Sequence, residues 1–230
     1  MDEDLFLGRT LPMKPNASLL IAAALVVLAS CKPGDGPKPV ENGNQVSKSA
    51  VPTADWRMAD SVIKCMGDVE GRTVADLFAG DGYYTFELLD AGARVIAIET
   101  DPALVSAIQA KAAEKGIGPD RLQTRLVTVG EPGIAPGEVD HALCTTVYLN
   151  INDRQSFFTR VHAGMKPSGQ LIVVDFLQEQ TPMGPPMELR VNIDQVMDEL
   201  QPCGFSDLIS NTKKIPHRFV IQALELGRPE

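Results

Sequence analysis

The spacing of apolar positions changes in a regular way along the chain. Trp56, Ala59, Val62, Ile63 and Met66 fall at helical intervals and predict a leading amphipathic helix. Thr73 to Phe78 is a short apolar run, a strand, and Tyr83 to Asp90 a helix closed by Gly92. Arg94 to Ile98 predicts a second strand. Pro102 to Lys115 is alanine-rich, with proline in its first turn and Gly116 past its end, and predicts a helix. Strands are expected over Leu122 to Val129, Asp140 to Tyr148 and Gly169 to Phe176. Asn152 and Asn192 each precede a glutamine three residues on, the spacing of a capping box, so each is expected to open a helix. Two last strands, Ser206 to Thr212 and His217 to Ala223, lie too close together for a parallel crossover and predict an antiparallel hairpin.

This alternation specifies an α/β fold. It is a Rossmann-like, doubly wound sheet of about seven strands, mostly parallel, with an antiparallel C-terminal hairpin and helices on both faces.

The first 54 residues break the pattern. Leu19 to Ala29 is apolar, shorter than the ~20 residues that span a bilayer and of the length of a signal-peptide core. Leu28-Ala29-Ser30-Cys31 resembles the bacterial lipobox, in which the cysteine is lipidated and begins the mature chain. Residues 1–30 are therefore expected to be a signal peptide, and residues 31–54 a lipidated Cys31 with a flexible tether rich in Pro, Gly, Ser, Asn and Lys. Residues 55–230 form the expected globular domain. Asp2, Glu3 and Asp4 are foreign to a signal n-region, whereas Met13-Lys14 suits one, so translation is expected to begin at Met13. The resemblance implies a protein of the bacterial cell envelope, held to the membrane through Cys31 and facing the periplasm or the exterior.

Charge narrows the partners. The chain carries a net charge of -9 and no basic run, which argues against nucleic acid. Cys65, Cys144 and Cys203 show no CxxC spacing and read as buried thiols. His141, His162 and His217 are scattered over separate elements, so no metal site is expected.

The chemistry concentrates in Val74-Ala75-Asp76-Leu77-Phe78-Ala79-Gly80-Asp81-Gly82-Tyr83-Tyr84-Thr85. A strand runs into a Gly-x-Gly turn and a helix begins, which lets backbone approach a ligand beneath a positive helix end. Glu99 ends the next strand, where an acid can accept hydrogen bonds from both ribose hydroxyls of an adenosine cofactor. Thr85 stands where a dinucleotide fingerprint wants a third glycine, which disfavours a nicotinamide-dependent oxidoreductase.

With that acid in place, the segment resembles the first two motifs of class I S-adenosylmethionine-dependent methyltransferases. The resemblance runs from about Ala54 to Ala223. It includes Gly130-Glu131 after the third strand and Lys166-Pro167-Ser168-Gly169-Gln170 before the fifth. It implies S-adenosylmethionine as cofactor. The positions it implies for binding are Asp76 by the methionine amino group, Ala79, Gly80 and Gly82 along the loop, Glu99 and Thr100 by the ribose, and Gly130 and Glu131 by the adenine. Phe78, Asp81 and Asn150 depart from the family pattern. No catalytic residue is assigned, although Tyr83, Tyr84, Tyr148 and Asn150 fall near the ligand side. Gln178 to Arg190, which carries Pro182-Met183-Gly184-Pro185-Pro186-Met187, joins the fifth strand to the next helix on the ligand side and is expected to be either a lid over a small-molecule substrate or a rigid proline connector. Export leaves two alternatives open, because the methyl donor is made in the cytoplasm: a methyltransferase acting on a small molecule or envelope component, or a lipoprotein that binds the nucleoside without turnover.

Overall fold

Each strand of the sheet alternates its side chains between two faces. Ala75, Leu77, Ile96, Ile98, Leu171 and Val173 enter one apolar core, and Val74, Val95, Ala97, Ile172 and Val174 enter the other. Burial on both faces is what a central parallel sheet requires. The structure is a computed structural model and describes residues 56–224. The expected signal peptide, Cys31 and the tether lie outside the described residues.

The element order is α1 (Ala59–Met66), β1 (Thr73–Leu77), α2 (Tyr83–Asp90), β2 (Arg94–Glu99), α3 (Pro102–Glu114), β3 (Leu122–Leu126), β4 (Val139–Thr145), α4 (Arg154–Gly164), β5 (Met165–Phe176), α5 (Ile193–Leu200), β6 (Asp207–Asn211) and β7 (Arg218–Leu224). Seven strands form one sheet in the order β3-β2-β1-β4-β5-β7-β6. β1 pairs in parallel with both β2 and β4. The strand order reverses there, and ligands bind open α/β sheets at the C-terminal strand ends beside such a reversal. Val62, Met66, Phe86, Leu89 and Ile108 bring α1, α2 and α3 onto one face. Phe157, Phe158, Val161, Val196 and Leu200 bring α4 and α5 onto the other.

The C-terminal hairpin is present, but its second strand is the inner one. β7 lies between β5 and β6 and runs antiparallel to both, so it alone opposes the sheet. Arg218 to Leu224 is buried along most of its length, whereas β6 is mostly exposed, and the more apolar strand takes the inner place.

Four local expectations shift. β3 stops at Leu126, because the edge strand has β2 on one side only, and Val129 beyond it is 71% exposed. β4 stops at Thr145, and Tyr148 sits instead in a single 3-10 turn over Tyr148–Asn150. The cap of α4 is Asp153 rather than Asn152; its carboxylate accepts from the Ser156 amide at 3.4 Å, and the capping box expected through Gln155 does not form. Asn192 does cap α5, accepting from the Asp194 amide at 2.8 Å, while Gln195 donates to Glu199 at 2.8 Å rather than closing a box.

Candidate cofactor and acceptor site

The turn from β1 into α2 needs left-handed backbone at Phe78, Gly80 and Gly82, with φ of 57°, 57° and 76°. The two glycines serve different ends. A Cβ on Gly82 would come within 2.9 Å of Ile108 and 3.0 Å of Phe86, so glycine there lets α2 sit against α3. A Cβ on Gly80 would meet nothing closer than the Phe78 carbonyl at 3.9 Å. Glycine at 80 therefore leaves the outer side of the loop clear. Phe78 is a bulky residue in a region that only a few per cent of non-glycine residues visit. Its ring stacks on Phe157 at 5.7 Å, which holds the strained turn.

Glu99 is 6% exposed and joins two loops. Its Oε1 accepts from the amides of Thr100 at 2.6 Å and Asp101 at 3.2 Å, and from the Thr100 hydroxyl at 3.2 Å. Its Oε2 accepts from the Gly80 amide at 2.9 Å. Oε1 is saturated; Oε2 carries this one bond and keeps a lone pair for another donor. Ala79 continues the ladder below, donating to the Ile98 carbonyl at 2.9 Å.

Asp76 lies under the glycine loop, 2% exposed, and accepts from the Thr85 hydroxyl at 2.6 Å. Burial pushes its carboxyl up to about 7, against the opposing pull of that hydrogen bond; Glu99 and Asp81 add to the rise. Thr85 takes the position of the third glycine of a dinucleotide site and fixes this acid. Asp81 is exposed; it accepts from the Tyr83 amide at 3.1 Å and pairs with Arg57 at 2.9 Å. At the third strand end, Arg160 of α4 donates to the Gly130 carbonyl at 2.5 Å and lies 3.9 Å from the Glu131 carboxylate.

The fold has known counterparts. The sequence profile of a methyltransferase domain matches residues 74–169. A crystal structure of an S-adenosylmethionine-dependent methyltransferase from Aquifex aeolicus superposes with a TM-score of 0.65 at 21% identity, covering 73% of this chain and 89% of that one. The chain has a class I methyltransferase fold. Phosphoethanolamine N-methyltransferase 2 of Haemonchus contortus, solved with S-adenosylhomocysteine, superposes at 0.62 and 12% identity over 75% of this chain and 53% of its own. The [4+2]-cyclase SpnF superposes at 0.60 and 19% identity over 71% and 65%. The domain match supports S-adenosylmethionine as the cofactor.

The residues present fit that group. The clear side of Gly80 and the remaining lone pair of Glu99 meet where the ends of β1 and β2 lie side by side. Gly130 and Glu131 stand beyond the end of β3, the neighbour of β2.

The four ligand-side candidates separate. Tyr148 is fully buried, its hydroxyl 2.9 Å from Glu199, which also holds Arg154 at 2.6 Å. It belongs to the packing between α4 and α5. Asn150 is exposed at the end of its turn. Tyr83 lies under the Arg57 guanidinium at 3.4 Å, and Tyr84 is buried with its hydroxyl donating to the Arg57 carbonyl at 2.8 Å.

Two buried arginines were invisible to sequence patterning. Arg190 donates to the carbonyls of Leu177 (2.9 Å), Glu179 (2.8 Å), Met183 (3.2 Å) and Pro185 (2.8 Å) and to the Thr181 hydroxyl (2.6 Å). The segment between β5 and α5 thus wraps around one guanidinium. A Cβ on Gly184 would come within 2.6 Å of the Phe176 ring, so the connector also seats on the end of β5. Arg218 opens β7, 1% exposed, with its guanidinium over the rings of Trp56 at 4.9 Å and Phe176 at 4.7 Å. Charged residues this deeply buried are rare without a partner, a signal that only three-dimensional placement reveals.

Proposed function

We propose that this protein is an exported, lipid-anchored S-adenosylmethionine-dependent methyltransferase of the bacterial envelope, acting on a small molecule or an envelope component. The observation that carries the reading is the Glu99 carboxylate. It is buried, held by amides from two loops, and left with one acceptor position beside an open glycine turn.

When bound, the cofactor supplies an activated methyl group whose transfer is an in-line displacement. The chain's part is alignment. Glu99 and Thr100 would hold the ribose, Ala79, Gly80 and Gly82 would carry the loop past the methionine end, and Gly130 and Glu131 would flank the adenine. Asp76 would act through Thr85 and the loop above it, with its negative charge favouring the cationic end of the donor. The anchor rests on Cys31 and its lipobox-like surroundings.

The test is transfer of labelled methyl from S-adenosylmethionine into small-molecule and envelope fractions by the mature chain, with Glu99→Ala alongside. Label that depends on Glu99 is expected; none in any fraction would contradict turnover. Metabolic labelling with palmitate, lost in Cys31→Ser, is expected for the anchor, and an unlabelled wild type would contradict it.

A second reading, a lipoprotein that binds the nucleoside without turnover, draws support from Tyr148, which is locked to Glu199 rather than presented to a ligand. A fold alone does not fix a reaction. Binding of S-adenosylmethionine with no transfer would favour this reading.

A further inference from the structure

A guanidinium does not give up its proton inside a protein, so a buried arginine must find compensation for its charge. Arg190 finds it in five oxygens. Arg218 does not. Its Nη1 donates to the Tyr84 hydroxyl at 3.2 Å. Its Nη2 is fully buried and has no hydrogen-bond partner among the described residues. The rings of Trp56 and Phe176 face the guanidinium, and cation–π contact of this kind steadies the charge while using none of the N–H groups at its edge. Asp175 is the nearby buried acid, yet no ion pair within 4.0 Å joins it to Arg218, and one of its oxygens accepts from the Phe176 amide at 2.7 Å. Burial pushes the Asp175 carboxyl up, which makes it a poorer counter-charge.

The position has meaning for the proposed reaction. Arg218 lies opposite Phe176, at the C-terminal end of β5. Its partner Tyr84 is in the first turn of α2, directly after the glycine loop. The unpartnered N–H group is thus one hydrogen bond away from the helix that starts at the cofactor loop, on the side of the sheet reversal away from Glu99.

We propose that Arg218 is the docking point for an anionic group, a carboxylate or a phosphate, on the methyl acceptor. This rests on the methyltransferase reading above. The planar fork of arginine matches either anion, and a protein of net charge -9 needs a dedicated cation to admit one. Trp56, whose ring faces the guanidinium at 4.9 Å, is 36% exposed, so this wall of the box borders solvent.

Trp56 is also the only tryptophan of the chain, so its fluorescence reports on this box directly. The experiment titrates inorganic phosphate, and separately acetate, into the mature chain at constant ionic strength with chloride as background. It is run with and without S-adenosylhomocysteine. A saturable change in emission with at least one anion is expected, and whichever anion binds more tightly identifies the group. In Arg218→Met the apparent Kd should rise at least about tenfold, the loss of a charge-assisted pair. Arg218→Lys keeps the charge without the fork and should weaken binding by several-fold, so it carries the test if the methionine variant does not fold. No saturable change with either anion, or the same Kd in wild type and Arg218→Lys, would overturn the proposal. Calorimetry with S-adenosylhomocysteine on the same samples separates the two ideas: its failure to bind would sink the cofactor reading and leave the anion result standing.

Discussion

Glu99 and Arg218 are both almost fully buried, on opposite sides of the sheet reversal: Glu99 ends β2, and Arg218 opens β7 beside the C-terminal end of β5. Glu99 is surrounded by backbone amides that already neutralise it, whereas Arg218 has one tyrosine hydroxyl and two aromatic faces. The difference separates a half of the site that is organised around its charge from a half that holds a charge in reserve. On the first side the chain supplies the partners and a ligand adds to them. On the second, one N–H group is left without a partner among the described residues, the place the proposed anion would take.

Variants can break this contrast. The largest effect is expected on cofactor affinity. Glu99→Ala should weaken S-adenosylhomocysteine binding by about 100-fold, the loss of charged hydrogen bonds to ribose and of the link to Gly80. Arg218→Met should leave that affinity within about threefold, because its charge serves the other half. Isothermal titration of both variants checks the pair.

The two buried arginines should differ next, in stability. Arg190→Ala removes a guanidinium that holds four carbonyls and a hydroxyl, and should cost about 2–3 kcal/mol. Arg218→Met removes an undercompensated cation at similar volume and should cost less, or stabilise. Urea unfolding midpoints measured side by side decide the order, and the reverse order would break the comparison.

Asp76 sharpens the same contrast through pH. Burial pushes its carboxyl up to about 7, above its ordinary value of 3.8. A cationic methyl donor favours the ionised form, so donor affinity should rise with pH and level off above about 7, approaching a tenfold loss per unit of acidification below it. Asp76→Asn should flatten that profile. Linkage has the opposite sign for the ligand-free protein. A raised folded-state pKa gives stability that is full below pH about 4 and is lost as pH rises through about 7. Asp76→Asn should therefore melt above wild type at pH 8. The smallest effect belongs to Glu131, which is exposed and only loosely paired with Arg160. Glu131→Gln should change cofactor affinity by less than about threefold.

Much of the first half was legible in the sequence, because its signals are local. The strand, the glycine turn, the helix and the next strand lie within 26 residues, from Val74 to Glu99, and the periodicities place each one. What the sequence did not reveal is non-local. Tyr148 reads as a strand-end pocket residue, yet the bond from its hydroxyl crosses 51 positions to Glu199. Arg218 meets Tyr84 across 134 positions, and no spacing rule reaches that far. The inner placement of β7 follows from relative burial of two strands rather than from their order in the chain. Asp153 displaced Asn152 as a cap because either residue can serve and only the path of the chain selects between them.

The central claim is that the glycine loop and Glu99 form a site for a methyl donor rather than a dinucleotide. Calorimetry of the wild-type mature chain with S-adenosylmethionine, S-adenosylhomocysteine and NAD tests it most directly. The account predicts one-to-one binding of the first two and none of the third. Binding of NAD alone, or of none of the three, would contradict it.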